Sequence, residues 1–313
     1  MKILVTGASG FIGSAVCRRL RSEEIDVLPV YRNEHPLGLT VGNINGTTDW
    51  CDSLMDITHV VHTAARVHVM KESVADPLLE FRRTNVDGTL NLARQAVASG
   101  VKRFVFISSV KVNGEQTKTG RAFTEENTSV PTVPYDLSKY EAEIGLRKLA
   151  LEENMEIVII RPPLVYGPGV RANFLSLMKL VSTGFPLPLG GIDNQRSMVS
   201  LDNIVDLIIT CINHPAAANE IFLVSDGEDL SVTQLLRRLA SAMDVPSRLI
   251  PFPLSWLQFA LNIVGKKSIA DRLCGSLQVD ITKARTLLGW SPPWSVVDEL
   301  EKTAKFFQEN SSK

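Results

Sequence analysis

The sequence predicts a doubly wound α/β fold built on a parallel sheet, followed by a smaller C-terminal domain. Three observations predict it. Short, nearly continuous apolar runs alternate with amphipathic stretches through the first half of the chain. A glycine-rich turn joins the first run to the first amphipathic stretch, and after Arg161 the alternation breaks into proline- and glycine-rich segments. Strands that are apolar on both sides need cover on both faces, and helical crossovers between them make the sheet parallel.

The elements follow in order. "KILVT" (2–6) reads as the first strand, and Phe11 to Arg21 as an amphipathic helix. "DVLPVY" (26–31), "HVVHTA" (59–64), "RFVFIS" (103–108) and "EIVIIR" (156–161) read as further strands, with helical stretches near 75–99 and 136–153 between them. Residues 1–165 are the first expected domain. Beyond it "PPLVYGPG" and "GFPLPLGG" read as loops. Helical segments recur near 173–183, 202–213, 231–243 and 295–309, and "EIFLVS" (220–225) is another apolar strand. These predict a second domain over 166–313, with a segment near 195–225 returning in part to the first.

Composition narrows the function classes. The 313 residues are 44% hydrophobic and 21% charged, and 33 Lys+Arg nearly balance 34 Asp+Glu. That balance argues against a general nucleic-acid or anionic-membrane binder, so an anionic ligand would need a local basic pocket. Cys17, Cys51, Cys211 and Cys274 have neither C-x-x-C nor His-paired spacing, so no metal site and no disulfide framework is expected. "MKILVTGASG" runs straight into a strand without the pattern of a signal peptide. The longest apolar stretches, around 204–212 and 254–264, are too short or too interrupted to span a bilayer. A soluble cytoplasmic protein is the expectation.

Two motifs carry the chemistry. In "VTGASGFIGSAV", Gly7, Gly10 and Gly13 stand between the first strand and the first helix. Glycines there let the backbone approach a pyrophosphate, while the helix N-terminus offers N–H groups and a positive dipole. Ser9, Phe11 and Ile12 complete this cofactor loop. At the end of the second strand, "LPVYRNE" offers Arg32 and no carboxylate before Glu34. A guanidinium suits a 2′-phosphate whereas an acid would bind a 2′-hydroxyl, so Arg32 favours NADP over NAD.

The second motif is "VPYDLSKYEAE", with Tyr135 and Lys139 one helical turn apart. Alone, this spacing is common on wet helix faces. Ser108 and Ser109, however, end the strand "RFVFISS" at the carboxyl edge where open α/β sheets bind ligands. Hydride transfer at a secondary alcohol needs a proton carrier, and a lysine ammonium near a phenol favours the phenolate. A serine hydroxyl would hold the substrate oxygen beside them.

"TGASGFIG", "HTAA", "TNVDGT", "FISSVKVNG", "YDLSK" and "RPPLVYGPG" together resemble the extended short-chain dehydrogenase/reductases. The similarity is greatest to bacterial sugar-nucleotide 4-epimerases and 4-ketoreductases of polysaccharide synthesis. The resemblance runs from Met1 to about Leu300 and weakens after Val170. It implies a Rossmann domain, and it selects Ser109 over Ser108 as the catalytic serine. Tyr135 becomes the acid/base, and Lys139 its pKa-lowering, ribose-binding partner. It places Ala64, Ala65 and Pro162 along the cofactor, Asn43 and Ile44 beside the adenine, and Asn85 as an organiser of the site. For a UDP-sugar substrate it implies Lys111, Asn173, Leu187 (uracil) and Arg196 (diphosphate), with Arg272 as a substitute for a late arginine. It also implies a homodimer.

Departures from the family pattern are Leu164 where asparagine is usual, Asn113 for tyrosine, and Asn43 for aspartate. His68 could touch substrate or be structural. With Arg32 as it stands, the expected reaction is NADPH-dependent 4-reduction of a UDP-4-keto-6-deoxy-N-acetylhexosamine. The alternatives are a UDP-hexose or UDP-N-acetylhexosamine 4-epimerase with tightly bound NAD, an NADPH reductase of a small non-nucleotide ketone, and a non-catalytic dinucleotide sensor.

Overall fold

The computed structural model describes residues 1–67, 76–118, 120–126, 129–253, 256 and 273–311. Seven parallel strands form the main sheet: β1 (Lys2–Thr6), β2 (Asp26–Tyr31), β3 (Leu39–Thr40), β4 (His59–His62), β5 (Arg103–Ile107), β6 (Glu156–Arg161) and β9 (Ile221–Leu223). Their order is β3-β2-β1-β4-β5-β6-β9, so the winding reverses between β1 and β4. Open sheets bind ligands outside the carboxyl ends at such a reversal. Register brings those ends level: Thr6 pairs with Val30 on one side and His62 on the other, and His62 pairs with Phe106.

Side chains alternate along each strand and divide the core into two layers. Ile3, Val5, Val61, Val105 and Ile160 face one way, against α1 (Phe11–Ser22) and α6 (Leu201–Asn213). Leu4, Val60, Phe104, Phe106 and Ile159 face the other way, against α3 (Thr89–Ala98) and α4 (Pro134–Glu152). Both α6 and β9 come from beyond residue 200 and complete this first body.

A third cluster fills the C-terminal part. Tyr166, Phe174, Met178, Leu236, Leu239 and Leu300 pack together there. They belong to β7 (Leu164–Tyr166), α5 (Ala172–Ser182), α7 (Val232–Ala242) and α9 (Val296–Ser311). β7 pairs in parallel with β8 (Met198–Ser200), and α8 (Thr282–Leu288) packs beside β9.

One predicted helix differs. The stretch near 75–99 is not a single α-helix: α2 (Pro77–Phe81) passes into a wide π-type turn, Arg82–Gly88, before α3 begins. The extra residue in that turn changes which side chains face inward, as such turns often do at functional sites. Asn85 is buried by it. α4 needs no such adjustment, because Pro134 at its first position starts it without losing a hydrogen bond.

Candidate active site

The floor of the site is the β1–α1 turn. Gly7 adopts φ +70°, and a Cβ there would sit 2.8 Å from the Ala64 amide nitrogen. A Cβ on Gly13 would come within 2.2 Å of the Gly7 carbonyl oxygen. Gly10 donates to that carbonyl at 2.8 Å and caps α1 without any side chain. The surface over the helix N-terminus is therefore bare backbone, which suits a pyrophosphate, and the residues present fit a dinucleotide. Ser9 is exposed at the crest of the turn, while Phe11 and Ile12 open α1 half-buried.

Beneath this floor lies a residue that sequence reasoning missed. His62 is buried at the end of β4, bonded through Nδ1 to Thr6 Oγ1 at 2.7 Å and through Nε2 to Thr89 Oγ1 at 2.9 Å. Burial, then the nearby Lys139, pushes its pKa down to about 3, so the ring is neutral. Thr6 Oγ1 in turn accepts from the Ala64 amide at 3.3 Å, which steadies the Ala64–Ala65 backbone. The signal available was the histidine of "HTAA", a polar residue that follows two buried valines at the carboxyl end of a strand.

Arg32 is exposed immediately beyond β2, and the preceding Tyr31 stacks on His35 with centroids 3.8 Å apart. Ile44 is buried, where its Cγ2 would meet a Cβ on Gly88 at 2.8 Å. Asn43 is exposed and lines a cavity of about 460 Å³ with Thr40, Asn45, Asp49 and Asp52.

Ser109 and Lys139 stand at the carboxyl end of β5, and Tyr135 lies one helical turn before Lys139 on α4. Ser109 is half-buried and caps the tight turn Val110–Val112, accepting from the Lys111 amide at 3.2 Å. Lys139 is 2% exposed. Its Nζ donates to the Ile107 carbonyl at 2.8 Å and lies over the Phe106 ring, 4.4 Å from the centroid. Tyr135, half-buried, meets the edge of Phe81 at 5.9 Å.

The electrostatics run against the simple expectation for this pair. Burial, helped by Asp136, pushes the Tyr135 phenol up to about 12. Burial also pulls Lys139 down to about 7, opposed by Glu143. Lys139 lies out of water and Tyr135 is half-buried, and desolvation disfavours the charged form of each.

The substrate-side residues are more scattered. Asn173 is exposed in the first turn of α5, after Ala172 at φ +54°. Leu187 is buried in a two-segment ribbon whose backbone pairs with Arg248 and Ile250. Arg196 is half-buried, its backbone paired with Leu230 and its Nη1 donating to the Gly275 carbonyl at 3.0 Å. Burial lowers its pKa. Lys111 Nζ lies 3.7 Å from Glu115. Pro162 is buried and accepts from the Val110 amide at 3.0 Å, pinning the Ser109 turn to the end of β6. His68 and Arg272 lie outside the described residues. A second cavity, about 530 Å³ between the Gly167–Arg171 loop, α5 and α9, contains none of the expected site residues. Among the described residues no group of His, Cys, Asp or Glu could hold a metal ion, and no helix is long and apolar enough to cross a membrane.

With this geometry in place, the chain matches the model of the NAD dependent epimerase/dehydratase family over residues 3–225. It belongs to that family. The UDP-glucose 4-epimerase of Vibrio cholerae is 49% identical over 311 residues, covering 97% of this chain and 95% of that protein. Among solved structures, a UDP-glucose 4-epimerase from Thermotoga maritima with UDP-glucose superposes with a TM-score of 0.79 at 25% identity, covering 99% of this chain and 100% of the other. The UDP-glucuronic acid 4-epimerase of Bacillus cereus in complex with NAD shares the fold, with a TM-score of 0.79 at 23% identity over 100% of this chain and 98% of the other.

Membership in the epimerase/dehydratase family makes this an extended short-chain dehydrogenase/reductase enzyme and gives the departures from its pattern a structural meaning. Asn113 is buried, with Oδ1 accepting from Arg161 at 3.2 Å and Nδ2 donating to the Thr124 carbonyl at 2.7 Å. Where the pattern has a tyrosine, this chain has a framework amide. Leu164 is exposed on β7 and can donate no hydrogen bond from its side chain.

Proposed function

We propose that this protein is a UDP-hexose 4-epimerase that retains NAD through its catalytic cycle. The observation that carries the reading is 49% identity, over nearly the whole of both chains, to a UDP-glucose 4-epimerase. It favours the epimerase over the 4-ketoreductase that Arg32 suggested. An enzyme that never releases its cofactor has no need to select a reduced, 2′-phosphorylated one. Arg32 then serves as an exposed cation that tolerates NAD.

Each residue has a role in that reaction. The Gly7–Gly13 turn and the N-terminus of α1 hold the pyrophosphate, and Lys139 holds the ribose. Tyr135 takes the proton from the sugar 4-hydroxyl oxygen and returns it after the face is exchanged, while Ser109 hydrogen-bonds that oxygen. When bound, the dinucleotide supplies the hydride acceptor and donor, and its oxidised form supplies positive charge that favours the phenolate. Asn173, Leu187 and Arg196 hold the UDP group and leave the 4-keto sugar free to present either face. A homodimer in the cytoplasm belongs to the same proposal; exposed Leu79 and Ile144 are apolar surface that such an interface could cover.

The test is direct. Heat-denatured protein should release NAD in near-stoichiometric amount, and the enzyme should interconvert UDP-glucose and UDP-galactose without added cofactor. Protein that releases no dinucleotide, and instead oxidises added NADPH with a UDP-4-keto sugar, would restore the reductase reading.

A further inference from the structure

Glu143 lies on α4 one helical turn beyond Lys139 and two beyond Tyr135, so the three share a face. It is 2% exposed. Its carboxylate accepts from Arg161 Nη2 at 2.6 Å, from Arg161 Nε at 3.1 and 3.2 Å, and from Ser108 Oγ. Arg161 Nη1 continues to Asn113 Oδ1 and to the Glu125 carbonyl, each at 3.2 Å.

Ser108 and Asn113 flank the turn that carries Ser109. One buried carboxylate therefore ties both ends of that turn to the helix carrying Tyr135 and Lys139. The same contact explains the choice between the two serines: the Ser108 hydroxyl is committed to Glu143, and Ser109 is the one left at the open edge. Stability alone does not account for the arrangement, since a buried ion pair can often be replaced by apolar side chains of similar volume.

We propose that Glu143 is a positioning residue of this active site, which favours the ammonium form of Lys139 against burial and sets Ser109 against Tyr135. This rests on the redox-epimerase reading of the same residues. Around Lys139 stand Tyr135 and Glu143 on its own helix, the Phe106 ring and Ile107 carbonyl from β5, and His62 from β4. His62 is neutral, and Glu143 is the charge that favours the ammonium of Lys139. Its effect opposes burial.

Carbon-13 NMR of ε-labelled lysines reads the charge of Lys139 without any substrate, and Lys139→Met identifies its resonance. Glu143→Gln keeps an acceptor for Ser108 but leaves Arg161 uncompensated. It should lower the Lys139 midpoint by about one pH unit or more. In turnover, the alkaline limb of kcat should move to lower pH, kcat should fall about tenfold, and KM for the UDP-sugar should hold. Ser108→Ala, with the ion pair intact, should lower kcat while the Lys139 midpoint stays at the wild-type value. Should Glu143→Gln fail to fold, the volume-matched pair Glu143→Met with Arg161→Met should still shift the midpoint downward, by less. A wild-type Lys139 midpoint in the folded Glu143 variant overturns the proposal. Wild-type protein that turns over no UDP-hexose overturns the functional reading instead, and the titration remains readable.

Discussion

Asn85 Nδ2 donates to Ser138 Oγ across 3.0 Å, joining residues 53 apart in the chain. Ser138 Oγ donates onward to the Tyr135 carbonyl at 2.7 Å. The same asparagine holds the Arg66 backbone from both sides, accepting from its amide at 2.8 Å and donating to its carbonyl at 3.0 Å. The wide turn Arg82–Gly88 is what aims Asn85 inward, so a local irregularity fixes the first turn of α4 against the loop that follows β4.

Asn85→Ala is therefore expected to damage both fold and rate. Leaving the half-buried Arg66 peptide unsatisfied costs up to roughly 1–3 kcal/mol of stability. Displacement of Tyr135 should lower kcat about tenfold or more at a temperature where the variant is folded. Thermal melting together with epimerase assays checks both. An unchanged rate would confine Asn85 to the framework.

On the proposed mechanism, Tyr135→Phe should remove the proton carrier and little else. A loss of about 10²–10⁴ in kcat is expected for a general acid/base. The half-buried ring keeps its edge contact with Phe81, so dinucleotide retention should stay within a few-fold of wild type. Measuring released NAD beside turnover separates the two effects.

The glycine turn makes a steric prediction. Gly13→Ala places a Cβ 2.2 Å from the Gly7 carbonyl oxygen, a contact that backbone cannot tolerate without moving. The turn must open, and the variant should be purified without NAD. Full retention of NAD would mean that the dinucleotide does not rest on this turn.

Arg32→Asp reads the ribose end of the cofactor. A carboxylate just past β2 favours a 2′-hydroxyl and repels a 2′-phosphate. Affinity for NADP should fall about tenfold or more while NAD binding holds or improves. Equal loss for both dinucleotides would place Arg32 on the ordinary surface.

Glu299 sets a pH dependence of stability. It is 2% exposed, and among the described residues its Oε2 has no hydrogen-bond partner. Burial, then Asp202, raises its pKa from 4.5 to about 7, against the nearby Lys302. A raised acid pKa means that the folded state holds a proton the unfolded state has lost. Its contribution is thus fully present below about 4.5 and lost as pH rises through about 7. Glu299→Gln should leave stability at pH 4 nearly unchanged and raise it at pH 8 by up to about 3 kcal/mol. Denaturant melts at the two pH values check the sign.

What the sequence determined by itself was local and periodic. The alternation of apolar runs and amphipathic stretches, the glycine turn after β1, and the one-turn spacing of Tyr135 and Lys139 are each written within a dozen residues. They name the fold and the class of chemistry because period and backbone freedom are short-range properties. The tertiary structure decided what depends on distant partners and on loss of water. His62 between Thr6 and Thr89, Glu143 between Ser108 and Arg161, and Asn85 against Ser138 join residues 18 to 56 apart in sequence. No spacing rule links those residues; strand register and helix packing bring them together. The titration of Tyr135 and Lys139 belongs with these. A phenol and an amine a turn apart read as a mutually charged couple, but burial pushes the phenol up to about 12 and pulls the amine down to about 7, so neither charges as readily as in water.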